Sequence, residues 1–442
     1  MREISEKRIA EIIELVKREV KPALGCTEPA AVSLAVARSN EALREAGYGN
    51  AEKIEVEVSA NILKNGMGVG IPGTGIVGLR IAAALGVTCG RSCYGLEVLK
   101  ELGAGSIDEA KDMVRRNMVA ISLADTPKKL YIKARVFSGG HSATAVIEAD
   151  HDNITSVRLD GIEVQQNKAK VVSVSHEGEG ETEKSIMDYR LSVKEIMEFV
   201  KCVPFGKIEF ILESVTMNRA LADEGLKGNY GLNVGRTIKE NMKGKILGDS
   251  LLTYAMAVTA AASDARMDGC TLPAMSNSGS GNQGITATLP VISFAEREGA
   301  GEETLARALM LSHLIAIHIK GYLGKLSALC GCVIASTGSS CGIVYLRGGG
   351  YREVCNAIKN MVGNITGMVC DGAKAGCALK VASGVSSAVQ SALLAMSGIC
   401  VDSRDGIIEE SIEKTIENLG VIGSRGMAGT DKMILDIMVN KG

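Results

Sequence analysis

Apolar residues in the first twenty positions recur at helical spacing. Ile4, Ile9, Ile12, Ile13, Leu15 and Val16 alternate with charge and predict an amphipathic helix to about Val20. After a break at Pro22, the turn Gly25-Cys26-Thr27-Glu28-Pro29 opens a second predicted helix through Ala37. Strand-like alternation follows at Ile54 to Ser59, Leu130 to Phe137, Ala143 to Ala149, Ile154 to Leu159 and Ile208 to Leu212. Asp150-His151-Asp152-Asn153 supplies a hairpin turn between two of these runs. Helical patterns intervene at Ile76 to Leu85, Ile107 to Met118 and Ser192 to Val200. From about position 245 strand signals nearly vanish, and Leu251 to Ala262, Glu303 to Leu323 and Ser386 to Met396 read as buried helices between glycine-rich breaks.

These patterns predict an α+β lobe joined to a largely all-α domain. Residues 1–48 form amino-terminal helices packing on the helical domain, 49–242 the α+β lobe, and 243–442 the helical domain. A chain of 442 residues buries enough apolar surface to need no disulfide staples. The charged start is no signal peptide, and the most apolar windows fall short of the roughly 18 residues that would span a bilayer. A cytoplasmic protein without membrane partners is expected.

Charge changes the picture by exclusion. Formal net charge is −2 with both signs mixed along the chain and no Trp, so neither a basic stripe nor a stacking platform for nucleic acid is present. Fifty-two glycines and few aromatics predict helices packed through small side chains. Three matches to Gly-x-Gly-x-x-Gly, at Gly68/Gly70/Gly73, Gly73/Gly75/Gly78 and Gly279/Gly281/Gly284, lack the strand immediately before the turn that a dinucleotide fingerprint needs. The segment Ser276-Asn277-Ser278-Gly279-Ser280-Gly281-Asn282-Gln283-Gly284 instead offers hydroxyls, amides and backbone N–H groups to an anion at a helix start. Ser276, Asn277, Ser278, Ser280 and Asn282 are the candidate substrate-binding residues, with a small carboxylate as guest.

Twelve cysteines in a chain without secretory features are not a disulfide framework. Most serve as small buried hydrophobes. The exceptions sit in glycine turns: Gly25-Cys26, Cys330-Gly331-Cys332 and Cys370-Asp371-Gly372-Ala373-Lys374-Ala375-Gly376-Cys377. Sulfur donors without nearby His favour an iron-sulfur cluster or zinc. The paired Cys-x-x-Cys knuckles of a closed zinc site are absent, and no compact ferredoxin run occurs, so any site is assembled from remote segments.

On these motifs and the Ser276 to Gly284 loop, the chain resembles the L-cysteine desulfidase family over nearly its whole length. More distantly, in its helical region, it resembles the α domain of bacterial iron-sulfur L-serine dehydratases. The resemblance implies a serine-dehydratase-like helical core and a 4Fe-4S lyase, independent of pyridoxal phosphate, that converts L-cysteine to pyruvate, ammonia and sulfide. It places the cluster ligands on Cys26, Cys330 and Cys370, whereas the dehydratase pattern points to Cys332, Cys370 and Cys377. Three ligands leave one iron open as a Lewis acid. Candidate bases are Glu28, His141 and Lys374, each with a structural alternative: a helix cap, a turn anchor and a solvated cation respectively. Asp371 is a candidate acceptor steadying a ligand. His313 and His318, five apart on an apolar helix, read as packing residues. Dehydration of L-serine is the rival chemistry, and a non-catalytic iron-sulfur or thiol sensor the rival class. The expected partner is a small amino acid, and the oligomeric state is open, a homo-oligomer included.

Overall fold

The computed structural model describes residues 4–166, 186–243, 246–324 and 327–440. Helix α1 (Glu6–Glu19) is capped by the Ser5 hydroxyl accepting from the Arg8 N–H, and it ends near the expected Val20. After the two-residue strand β1 (Pro22–Ala23), helix α2 (Thr27–Glu45) starts at Cys26 and runs two turns beyond the expected Ala37. The extension is continuous burial: Ser39, Asn40, Ala42 and Leu43 stay in the core, so apolar periodicity alone ended the helix too early.

The lobe is a six-stranded sheet of order β3-β2-β4-β5-β6-β7, formed by β2 (Lys53–Val58), β3 (Val119–Leu123), β4 (Tyr131–Ser138), β5 (His141–Glu148), β6 (Ile154–Leu159) and β7 (Ile162–Gln166). Pairings are antiparallel except β2 with β3, which are parallel and joined through α3 (Ala60–Gly66), α4 (Leu79–Thr88) and α5 (Ala104–Arg115). Alternation along β4 and β5 buries one face, which α2 covers with α4 packed against it. The Asp150 to Asn153 turn joins β5 to β6 as expected. Edge strands β3 and β7 escaped the sequence reading because much of each is exposed and gives no clear alternation.

Ile208 to Leu212 is helical, not a strand. Pro204 starts the short helix α7 (Phe205–Ile208), and a 3-10 turn follows over Glu209–Leu212. The buried pair is Ile208 and Ile211, three apart, so the spacing that looked like strand alternation serves a helical face.

The remaining helices form the second body: α6 (Val193–Cys202), α8 (Glu213–Lys227), α9 (Val234–Lys243), α10 (Leu251–Met267), α11 (Gly281–Glu298), α12 (Glu302–Leu323), α13 (Gly331–Leu346), α14 (Tyr351–Ile365), α15 (Cys377–Met396), α16 (Ile412–Val421) and α17 (Ala428–Val439). A last strand, β8 (Ala274–Met275), pairs with β1 and ties the amino-terminal segment to this body. Helix α10 packs on α8, α9, α11 and α15, while α13 packs on α11, α12, α14 and α15. Buried Gly, Ala, Ser and Cys line α13, in keeping with packing through small side chains.

Two apolar cores divide the chain differently from the boundaries expected at 48 and 242. Ile9, Ile12, Leu15 and Val16 of α1 join the helical core with Phe199 and Ile208, whereas Leu34, Val36 and Leu43 of α2 join the sheet core. Thus α1 and the helices after residue 186 belong with the helical body, and α2 with the lobe. A break at Pro22 hides this exchange in the sequence, because both helices are apolar on the inner face and only packing decides which core receives them. Among the described residues α15 is long and apolar enough, by length and composition, to cross a membrane. Much of it is buried against α10, α13 and α14.

Candidate active site

Where the two cores meet, helix amino termini carry the cysteines. Cys26 is the residue before α2, Cys330 the residue before α13, and Cys377 the first residue of α15. Helix starts present free N–H groups and the positive end of the helix dipole, which favour thiolates and other anions.

Backbone pairing brings the two central cysteines together. Leu329 and Val369 form an isolated antiparallel bridge; the Cys330 N–H donates to Met368 O at 3.0 Å and the Cys370 N–H to Ala328 O at 2.7 Å. Each cysteine follows a bridge partner by one residue, so both side chains leave the same face. Cys26 lies in a small apolar cluster with Val69 and Met267, against which Ala373 and Cys377 pack. Segments about 350 residues apart therefore meet.

Burial above all, and mutual proximity after it, hold the thiols of Cys26, Cys330 and Cys377 protonated. Burial pushes Cys26 up to about 11, opposed by the Arg266 guanidinium and reinforced by Glu28 and Cys377. Cys330 is raised well above the ordinary thiol range, first by burial and then by Cys332 and Cys370, and Cys377 is raised chiefly by burial. A soft metal would displace these protons on binding. Cys332 is different: its sulfur donates to Lys380 O at 3.1 Å and contacts Ser336 at 3.6 Å, so it serves the α13–α15 packing. Among the described residues no three or more His, Cys, Asp or Glu side chains stand close enough to hold a single metal ion. The cysteine sulfurs that do influence one another are Cys330 with Cys332, Cys370 and Cys377, and Cys26 with Cys377.

Cations surround the thiols. Lys320 on α12 is buried and drawn down to about 8 by desolvation, against the opposing pull of Cys370 and Cys330 beside it. Asp371 pairs with both Lys374 and Lys380, and the Lys380 ammonium also donates to Val369 O at 2.8 Å. Arg266 at the end of α10 is 6% exposed, donates to Gly25 O at 2.9 Å and Cys26 Sγ at 3.3 Å, and has a buried Nε without partner. No carboxylate pairs with it among the described residues. Stripping such an ion of water costs several kcal/mol, so an uncompensated guanidinium fits a place where an anionic cluster or ligand supplies the missing charge.

The three base candidates fare differently. Glu28 stands in the first turn of α2, its carboxylate accepting from Asn65 Nδ2 at 3.0 Å and from the Thr27 hydroxyl at 3.3 Å. Lys374 sits beside Cys377 but is tied to Asp371. His141 does not join the group: it opens β5 at the hairpin tip, 42% exposed at its side chain, stacked on Tyr48 and paired with Asp160 at 2.8 Å. The Gly139-Gly140 turn and its partners explain it as a turn anchor.

The Ser276 to Gly284 loop is ordered and largely buried, and leads into α11 as expected. Its side chains mostly serve the loop itself, which the sequence reading did not foresee. Ser276 donates to Lys21 O, Ser278 donates to Asn277 Oδ1, and Ser280 caps α11 by accepting from the Gln283 N–H. Asn277 donates to His313 Nδ1 at 3.0 Å and to His313 O at 3.3 Å. Asn282 reaches toward Cys26, its Oδ1 accepting from Arg266 Nη1 at 3.4 Å, and Gln283 reaches toward Cys330, its Oε1 lying against Gly331. Arg266 and Lys320 were missed. The signal for Lys320 was a charge set in an otherwise apolar helical run; Arg266, between Asp264 and Asp268, gave none.

His313 and His318 pack as expected, the second against Glu413 at 2.8 Å and Tyr322. Complete burial depresses His313 from 6.5 to about 4. The unfolded chain takes up a proton near 6.5 and the folded chain only near 4, so this residue's contribution to stability is lost as pH falls through that window, by about 3 kcal/mol in all. Denaturant melts at pH 7 and pH 5 should show a smaller pH-dependent loss in His313→Gln than in wild type; equal losses would refute this assignment.

Comparison with known proteins decides the family. The serine dehydratase alpha chain family model matches residues 94–436. The chain belongs to the serine dehydratase alpha chain family. The match reaches beyond the helical region, where the sequence had confined this likeness, into the sheet, and it leaves out Cys26. Full-length relatives include a UPF0597 protein of Parabacteroides distasonis, 51% identical over 98% of both chains. Another, UPF0597 protein BF3560 of Bacteroides fragilis, is 49% identical over 99% of this chain and all of its own length. A third, from Oleidesulfovibrio alaskensis, is 50% identical over 97% of each. In this family member the matched region includes Cys330, Cys332, Cys370 and Cys377, and serine-dehydratase membership points to lyase chemistry.

Proposed function

We propose that this protein is an iron-sulfur-dependent β-eliminating lyase, cytoplasmic and independent of pyridoxal phosphate, that converts L-cysteine and water to pyruvate, ammonia and sulfide. The observation that carries the reading is the Leu329–Val369 bridge, which sets Cys330 and Cys370 on one face beside the buried Lys320 ammonium. Cys26, Cys330 and Cys370 would hold a 4Fe-4S cluster, with Cys377 the nearest substitute. When bound, such a cluster supplies an open Lewis-acidic iron that makes the β-substituent a better leaving group.

The chain's own groups divide the remaining work. The amino terminus of α11 and Arg266 present N–H donors to the substrate carboxylate. Glu28, steadied by Asn65, is the base assigned to the Cα proton, which its carboxylate oxygen accepts. Lys320 offsets negative charge at Cys330 and Cys370. Val69 and Met267 keep water from the Cys26 side.

A second reading, dehydration of L-serine, is favoured by the family match. Anaerobic purification with iron and sulfide counting, a visible spectrum and pyruvate assays on both amino acids tests the two together. Bound iron with faster turnover of L-cysteine supports the first reading, and faster turnover of L-serine establishes the second. A colourless, iron-free protein with full activity sinks both.

A further inference from the structure

Two orphaned polar atoms flank the start of α11. One is the Arg266 Nε–H; a Cβ on Gly281 would stand 2.1 Å from this nitrogen, so the guanidinium occupies the room that glycine leaves in the first turn of the helix. The other is Gln283 Oε1, on a side chain with 0% exposure. A Cβ on Gly331 would stand 3.1 Å from it, which puts the orphan acceptor against the residue that follows Cys330.

The hydrogen-bond chain fixes which Gln283 atom is left over. His313 O can only accept, so Asn277 directs its Nδ2 there and keeps Oδ1 for others. That Oδ1 accepts from Gln283 Nε2 at 2.8 Å, leaving Gln283 Oε1 as a buried acceptor with nothing to accept. At the far end, Thr288 donates to Gly284 O, so His313 Nε2–H donates to Thr288 at 3.1 Å and its Nδ1 accepts from Asn277. The imidazole in this chain is neutral.

An unpaired N–H on a buried guanidinium and a buried acceptor with no donor are each costly, and both stand at the start of α11, the first toward Cys26 and the second toward Cys330. We infer that Arg266 and Gln283 form the recognition subsite for the two ends of an α-amino acid: Arg266 with the α11 amino terminus holds the carboxylate, and Gln283 Oε1 accepts from the ammonium. This deepens the function proposed above and rests on it for the identity of the substrate. A guest bound this way has its β-substituent free to face the cysteines. Orientation at the guest's two charged ends then comes from buried groups rather than from the serines of the loop.

Three probes separate the two ends: L-cysteine, 3-mercaptopropionate, which lacks the ammonium, and cysteamine, which lacks the carboxylate. Binding is followed by ligand-induced thermal shift and calorimetry on anaerobically reconstituted wild type, Arg266→Gln, Arg266→Lys and Gln283→Met, with iron content measured throughout. Arg266→Gln should weaken L-cysteine and 3-mercaptopropionate roughly 10- to 100-fold and leave cysteamine unchanged, with partial recovery in Arg266→Lys. Gln283→Met should weaken L-cysteine and cysteamine but not 3-mercaptopropionate. Equal weakening of all three probes in either variant, or no binding of any of them by wild type, overturns the subsite. If wild type binds L-cysteine with this selectivity but forms no pyruvate from either amino acid, the subsite stands and the lyase reading falls. If it makes pyruvate while the variants show no selectivity, the reverse holds. Should Arg266→Gln not fold, Arg266→Lys and Gln283→Met still decide between these outcomes.

Discussion

Cys370→Ala should strip the protein of iron and lower pyruvate formation by about 100-fold or more, while its melting temperature stays close to that of the wild-type apoprotein. Removing one of three thiolates leaves a cluster held by two, and even lesser disturbances around a metal ligand cost roughly 10- to 100-fold. Retention of the fold is expected because Cys370 is partly exposed and its structural bond to Ala328 is made by the backbone, which alanine keeps. Cys332→Ala is the informative contrast. That sulfur is spent on Lys380 O and Ser336 between two helices, so its loss should lower the melting temperature and leave the iron content unchanged. Iron counting, spectra and thermal melts on both variants check the pair. A Cys370→Ala protein with a full complement of iron would remove Cys370 from the ligand set.

Gly372→Ala should be the most damaging single methyl in the site. Gly372 has φ +90°, and a Cβ there would lie 2.1 Å from the Lys64 carbonyl oxygen. The obstacle is backbone at the side of α3, and Lys64 is itself anchored by an ion pair with Asp431 on α17, so neither can swing aside. Strain and overpacking together should cost roughly 3 kcal/mol. Because the same turn spaces Cys370 from Cys377, the loop should shift and carry Asp371 and Cys370 with it, lowering iron loading as well as stability. Denaturant melts and iron counts on the variant measure both; an unchanged melt would show that the loop accommodates the methyl.

Some features of this site were legible in the chain because their cause is local. Gly25 and Gly372 have positive φ, and glycines beside cysteines already announced tight turns. The Ser280 cap and the turn of polar residues before Ile285 announced a helix start. Other features followed no local rule. Arg266 lies beyond the helix expected over Leu251 to Ala262 and went unmarked; its meaning comes from Gly25 and Cys26, some 240 positions away. The serines of the 276–280 loop looked like ligand donors, but their hydroxyls are spent within the protein. His141 looked like a base because of its residue type, and its partner Asp160 made it a turn anchor.

By itself the sequence determined the element types of most of the chain, the cysteine motifs and the glycine turns that carry them. Helical and strand periods, capping residues and turn chemistry act over a few neighbours and need no tertiary partner. Only the tertiary structure decided which core takes α1 and which takes α2, that Cys330 and Cys370 share a face, and which polar atoms are left unpaired. Those outcomes depend on packing between segments hundreds of residues apart, where burial turns an ordinary arginine or glutamine into a group that must find a partner.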